Sequence, residues 1–240
     1  TGRNHEVDIA LDPLEGTTIT AKGMPNSLSV IAAAQRGGLL YAPDTYMNKI
    51  AVGGNLPDDI SDLDATTKEN IQSIADAKKV PINEVTACVL ERSRHDSIIE
   101  DLRSIGAKIV LIPDGDVAGI IMTTQEHSSV DIYMGVGGAP EGVLAAAALQ
   151  CIGGQMQTIL VINNEDEKIR AEKIGIKDLN KKYSLDELAH GDIIFSATGV
   201  TEGTMVRGVR TNQNKYVTHS LVLRTGESSS QYIETYHDIS

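Results

Sequence analysis

The stretch VDIYMGVGGAPEGVLAAAALQCIGGQMQTILVI, Val130 to Ile162, decides the fold class. It opens with an apolar strand-like run, VDIYMGV, and leaves it through glycines. An alanine-rich helical pattern follows, with Pro140 where a first helical turn tolerates it. Gly153 and Gly154 stand at the helix end, and a second apolar run, QTILVI, comes next. A strand, a helix and a strand in so short a stretch is the building unit of an α/β protein.

The alternation continues in both directions. Strand-like runs recur at VDIALD, SLSVIAAA, NKIAVG, TACVLE, KIVLIPD, DIIFSAT and YVTHSLVLR. Several are almost continuously apolar, as strands covered on both faces require. ATTKENIQSIADAKK begins with threonines suited to a cap and carries Ile71, Ile74 and Ala75 on one face, while HDSIIEDLRSIGA ends in the glycine expected just past a helix. The expected architecture is α/β, with layered sheets and helices. Domain boundaries near residue 55 and between about 125 and 165 are weakly marked in the sequence. DDISDLD reads as an acidic, solvated loop and GESSSQ as another loop.

With 240 residues, 41% of them apolar, the chain can bury a sizeable core as one large domain or two small ones. Thirty-three acids against twenty-one Lys and Arg give a formal net charge of −12, which repels nucleic-acid backbones and anionic lipid. Trp is absent and Phe occurs once, so stacking platforms for single-stranded nucleic acid lack material. A small-molecule enzyme suits this composition, without nucleic-acid or membrane partners. The two cysteines, Cys88 and Cys151, have no metal-finger spacing and read as buried small residues in a reducing compartment. No run reaches the length of a membrane span and no signal peptide opens the chain, which points to the cytosol. Thr1 stands first and a strand begins almost at once, so an earlier segment is expected to be missing.

Three stretches carry the chemistry. In DIALDPLEGTT, Asp8 to Thr18, an apolar strand is read as ending at Asp12. Pro13 stiffens the turn and Glu15 brings back a second carboxylate. Gly16 lets backbone approach a phosphate, and Thr17 adds a hydroxyl. Hard oxygen donors in this arrangement suit Mg²⁺ or Mn²⁺, with water and substrate phosphate filling the remaining positions. An acidic turn capping a helix has the same composition. IPDGDVAG places Asp114 and Asp116 on either side of Gly115, at the start of a short helix, where acids also serve as caps. In MGVGGAPEGVLAAA, Glu141 falls in the first turn of the Ala-rich helix, where free N–H groups favour an anion or a metal-bridged phosphate. Arg92 and Arg94 of LERSRHDS follow a strand, and their guanidinium forks match phosphate oxygens or are simply solvated. His95 lacks a nucleophilic partner in the sequence and reads as a cap or surface residue. No GxSxG elbow or Cys–His signature is present, so metal-assisted hydrolysis is the preferred reaction class.

In their order along the chain, DIALDPLEGTT, YAPDTYMNKIAVG, RSRHD, IPDGDVAG, GVGGAPEGV and DIIFSATGVTEG resemble the class II fructose-1,6-bisphosphatases of the bacterial GlpX type, within the lithium-sensitive sugar phosphatase superfamily. The resemblance spans nearly the whole chain. It implies a layered αβαβα sugar-phosphatase fold with mixed sheets covered by helices. It also implies Mn²⁺- or Mg²⁺-dependent removal of the 1-phosphate of fructose 1,6-bisphosphate in gluconeogenesis, and a homo-oligomer. Carried over by position, Asp12, Glu15 and Glu141 match metal ligands. Glu15, Gly16, Thr17, Tyr46, Arg92, Ser93, Arg94, Asp114, Gly115, Asp116 and Gly138 match substrate contacts. Thr17 matches the hydroxyl that helps activate the attacking water, with Asp12 and Glu15 beside it in the catalytic set. The family's N-terminal acidic metal-binding motifs are absent from this sequence, and the stretch around 163–166 is shorter than the family pattern. Phosphatases of sedoheptulose 1,7-bisphosphate or of inositol phosphates, and a non-catalytic sugar-phosphate sensor or structural partner, remain as alternative readings.

Overall fold

The structure is a computed structural model that describes residues 6–227 and 230–239. In chain order they form β1 (Val7–Glu15), α1 (Thr17–Ala21), β2 (Leu28–Gln35), β3 (Tyr46–Gly53), α2 (Thr67–Lys78), β4 (Thr86–Leu90), α3 (Asp96–Ser104), β5 (Lys108–Ile112), α4 (Asp116–Ile121), β6 (Ile132–Gly138), α5 (Ala139–Ile152), β7 (Gly154–Val161), α6 (Glu165–Lys173), β8 (Lys182–Ser184), α7 (Leu185–Leu188), β9 (Ile193–Gly199), β10 (Arg210–Asn212), β11 (Lys215–Arg224) and β12 (Gln231–Asp238).

The two ends of the chain build one sheet and its middle builds the other. The first sheet runs β1-β2-β9-β11, with β10 and β12 also on β11, and is antiparallel throughout. The second runs β5-β4-β6-β3-β7-β8. Its first three strands are parallel and the others pair antiparallel. β6 and β7 flank β3 on opposite sides, so the α5 connection crosses the sheet as a strand–helix–strand unit must.

That crossover helix lies between the sheets and packs on strands of both. Ala145, Ala146, Ala147, Ala148 and Leu149 are fully buried, which accounts for a helix apolar on all sides. Small residues let two sheets approach one helix together. On the outer face of the second sheet, Ile71 and Ile74 of α2 and Ile99 and Leu102 of α3 pack on Ile50, Val52, Val85 and Val89. The expected cap of α2 forms as a complete box. The Thr66 hydroxyl accepts the Glu69 N–H at 3.2 Å, and the Glu69 carboxylate accepts the Thr66 N–H at 2.8 Å.

The layered α/β architecture is the expected one. On the outer face of the first sheet Val7, Ile9, Leu11, Ile31 and Ile194 are exposed, so among the described residues this sheet carries helices on one face only. Several local expectations are corrected. β1 does not end at Asp12 but continues through Pro13 to Glu15, because a bulge absorbs the proline. Asp12 pairs with Val30 and Glu15 with Leu28, leaving one extra residue on an edge strand where a missing N–H costs little. The acidic loop is not merely solvated, since Lys182 of β8 pairs with Asp62 at 2.7 Å and Asp64 at 2.6 Å. GESSSQ falls partly outside the described residues, and its Gln231 begins β12. The Asn164 side chain caps α6, accepting the Glu167 N–H at 2.9 Å.

Candidate active site

Two strand-to-helix turns of the same design face each other. β1 ends at Glu15, Gly16 turns the chain, and α1 begins at Thr17; β5 is followed by Asp114, Gly115 turns the chain, and α4 begins at Asp116. Both glycines have φ of 85°, a left-handed conformation that disfavours any side chain. Each turn supplies a carboxylate to the other's helix. Glu15 Oε1 accepts the Val117 N–H at 2.9 Å, and Asp114 Oδ2 accepts the Thr18 N–H at 3.1 Å. Asp114 therefore caps α1 and not its own helix.

Glu15 is 2% exposed and its Oε2 has no hydrogen-bond partner. Its pKa is raised well above the ordinary carboxylate value, first by burial and next by Asp116, against the Val117 N–H that favours the charge; Asp12 and Asp114 raise it further. A buried, unpartnered carboxylate oxygen among other acids suits a cation.

The opposite wall comes from β6 and α5. A Cβ on Gly137 would lie 2.1 Å from Asp116 Oδ2, and one on Gly138 would lie 2.0 Å from Glu141 Oε2, so the glycine pair makes room for two carboxylates. Burial raises the Glu141 pKa; its own N–H opposes this, Asp116 raises it, Lys49 lowers it and Asp12 raises it. Lys49, fully buried on β3, forms an ion pair with Asp116 and places an ammonium among the acids. Its role is not marked by any of the acid, glycine or arginine motifs of the sequence. The available signal was a lysine inside the otherwise apolar run KIAVG.

The arginines form the rim. Arg92 Nη2 stands 3.6 Å from Asp114 Oδ1, and its Nη1 donates to the Glu91 carbonyl at 3.1 Å. Arg94 Nε donates to the Val136 carbonyl at 2.9 Å, and its guanidinium lies 5.1 Å from the centroid of the Tyr46 ring. This leaves the Nη edge of Arg94 for an anion. His95 is neither a surface residue nor a side-chain cap, although it holds the N-cap position of α3. It is buried beneath this turn. Cys88 is buried and Cys151 partly so, and burial pushes their thiols to about 12 and about 11, so neither is a nucleophile at neutral pH.

Asp12, Glu15, Gly16, Thr17, Tyr46, Arg92, Arg94, Asp114, Gly115, Asp116, Gly138 and Glu141 line one pocket. Ser93 is the one candidate that does not line it; its side chain is exposed. Among the described residues no three His, Cys, Asp or Glu side chains stand close enough to hold an ion by themselves. The donors nevertheless fit a hard divalent cation in kind, with Glu15 Oε2 as the orphaned oxygen.

A layered α/β fold whose one pocket gathers carboxylates and, at its rim, guanidinium groups fits an enzyme of the sugar-phosphatase class. The particular family follows from comparison. Residues 1–237 match the family of bacterial fructose-1,6-bisphosphatases, glpX-encoded, and the chain belongs to it. It is 37% identical over 250 residues to the fructose-1,6-bisphosphatase class 2 of Haemophilus influenzae, covering 98% of this chain and 74% of that protein. It is also 37% identical over 251 residues to fructose-1,6-bisphosphatase 1 class 2 of Escherichia coli K12, covering 99% of this chain and 74% of that protein. No helix among the described residues is long and apolar enough to cross a membrane.

Proposed function

We propose that this protein hydrolyses the 1-phosphate of fructose 1,6-bisphosphate to fructose 6-phosphate and phosphate, the gluconeogenic step, in a bacterial cytoplasm. The observation that carries the reading is the convergence on one pocket of carboxylates at Asp12, Glu15 and Glu141 with guanidinium groups at Arg92 and Arg94. A bisphosphate has one end for each.

Asp12, Glu15 and Glu141 would hold Mn²⁺ or Mg²⁺. A bound divalent ion neutralises phosphate charge and lowers the pKa of a coordinated water. Thr17, the first residue of α1, orients the attacking water through its hydroxyl. Asp114 and Asp116 are held in place by the Thr18 N–H and by Lys49, which makes them fixed acceptors for sugar hydroxyls. Arg94, anchored at Nε, grips the distant 6-phosphate with its remaining nitrogens. That binding energy orients the reacting end.

The test is phosphate release by the whole protein with Mn²⁺ on fructose 1,6-bisphosphate, sedoheptulose 1,7-bisphosphate, fructose 1-phosphate and inositol 1-phosphate. The highest kcat/KM is expected on fructose 1,6-bisphosphate. Equal rates on the monophosphates would overturn the bisphosphatase reading, and binding without release would make the protein a sensor.

A further inference from the structure

His95 is a titratable side chain beside the rim arginines that the proposed reaction does not use. It is fully buried, directly after Arg94. Nδ1 lies 2.7 Å from the Leu90 carbonyl oxygen and Nε2 lies 2.7 Å from the Val136 amide nitrogen. A carbonyl only accepts and an amide N–H only donates, so Nδ1 carries the proton and Nε2 is bare. The ring is thereby a neutral imidazole in a single tautomer. Burial favours this form, as do the positive charges of Arg94 and Arg92.

The place of the ring in the second sheet explains why it is there. β4 and β6 pair directly at Ala87 with Ile132 and at Cys88 with Tyr133, and no further. Past that point the imidazole spans the gap, donating to Leu90 at the end of β4 and accepting from Val136 on β6. Gly135 has φ of 147°, and a Cβ on it would lie 3.0 Å from His95 Nε2, so the strand is shaped to pass over the ring. Val136 then serves two consecutive residues. Its N–H goes to His95, and its carbonyl takes Arg94 Nε at 2.9 Å.

We propose that His95 is a positioning residue for the second phosphate: as a neutral acceptor it fixes the Val136 peptide, and that peptide aims Arg94 from its seat over Tyr46. The inference rests on the reading of Arg94 as the clamp for the non-reacting phosphate.

The experiment uses His95→Asn, His95→Gln, Arg94→Ala and the double variant His95→Asn/Arg94→Ala in the whole Mn²⁺-loaded enzyme, assayed on fructose 1,6-bisphosphate and fructose 1-phosphate. Asparagine reaches the Nδ1 position only and loses the acceptor for Val136; glutamine carries an amide oxygen to the Nε2 position. His95→Asn is expected to lower kcat/KM on the bisphosphate about tenfold, mainly through KM, the scale of one charge-assisted contact. It should leave fructose 1-phosphate within about twofold, and His95→Gln should restore most of the loss. In the Arg94→Ala background the effect of His95→Asn should vanish. Equal losses on both substrates, glutamine no better than asparagine, or an undiminished loss in the double variant would each overturn the proposal. If Arg94→Ala itself fails to discriminate the substrates, the clamp reading falls. The coupling between residues 95 and 94 then still decides whether His95 positions Arg94. Should His95→Asn not fold, His95→Gln must keep the parent's selectivity between the substrates, and its loss overturns the assignment.

Discussion

Glu15 of the first sheet accepts the N–H of Val117, 102 residues further on, at 2.9 Å, while its other carboxylate oxygen is buried with no partner. The residue therefore does two things. One oxygen locks β1 to the start of α4, and the other is buried without a partner in a residue that lines one pocket with Asp12, Asp114 and Asp116. Without a cation this arrangement is strained electrostatically.

Glu15→Gln relieves that strain. Because the folded-state pKa of Glu15 is raised above its ordinary 4.5, its contribution to stability is full below that value and is lost as pH rises through the folded pKa. In chelator, the parent should lose stability as pH rises above the ordinary carboxylate range, and Glu15→Gln should lose less over the same rise. Thermal melts across pH with and without Mn²⁺ check this. The variant should also lose the stabilisation that added Mn²⁺ gives the parent.

Lys49→Met should behave in the opposite sense. It leaves the buried Asp116 carboxylate without its ammonium partner, and breaking such a pair from one side costs about 3–5 kcal/mol. Lys49→Met/Asp116→Leu should recover a large part of that loss. Denaturant unfolding of the three proteins measures it. A single variant as stable as the parent would mean that water reaches the pair.

Glu141→Gln and Gly138→Ala should converge on one phenotype from two directions. The first removes a charge, and the second pushes a methyl group into the space of Glu141 Oε2. Both should raise the Mn²⁺ concentration needed for half-maximal activity, Glu141→Gln with little change in melting temperature. An unchanged metal titration for Glu141→Gln would make Glu141 a helix-start acid only.

Thr17→Ala should lower kcat by about 10² while Thr17→Ser retains substantial activity, the scale for a group positioned at a proton transfer. Steady-state kinetics separate this from binding: a rise confined to KM would reduce Thr17 to a contact.

Much of the architecture was legible in the residues. The caps of α2, the buried faces at Ile71 and Ile74, and the strand–glycine–helix run into α5 follow from periodicity and turn chemistry acting over a few residues. β12 is not legible in the sequence, although QYIETYHD is rich in strand-forming residues. Its residues are exposed on both sides, so neither face shows the apolar alternation that marks a half-buried strand. In the sequence the bulge at Pro13 reads as a strand end, because a proline interrupts the ladder in either case.

The sequence by itself determined the kinds and order of elements, the acid, glycine and arginine motifs, and through them the family. Tertiary structure alone decided which carboxylate caps which helix, that Lys49 is the counter-ion of Asp116, and that His95 is buried between β4 and β6. The physical reason is distance along the chain. Glu15 meets Val117 across 102 residues, Asp114 meets Thr18 across 96, and Lys49 meets Asp116 across 67. Such partners are selected when two sheets close on α5 and water leaves. Only then does an unpaired donor or charge cost enough to dictate its neighbour.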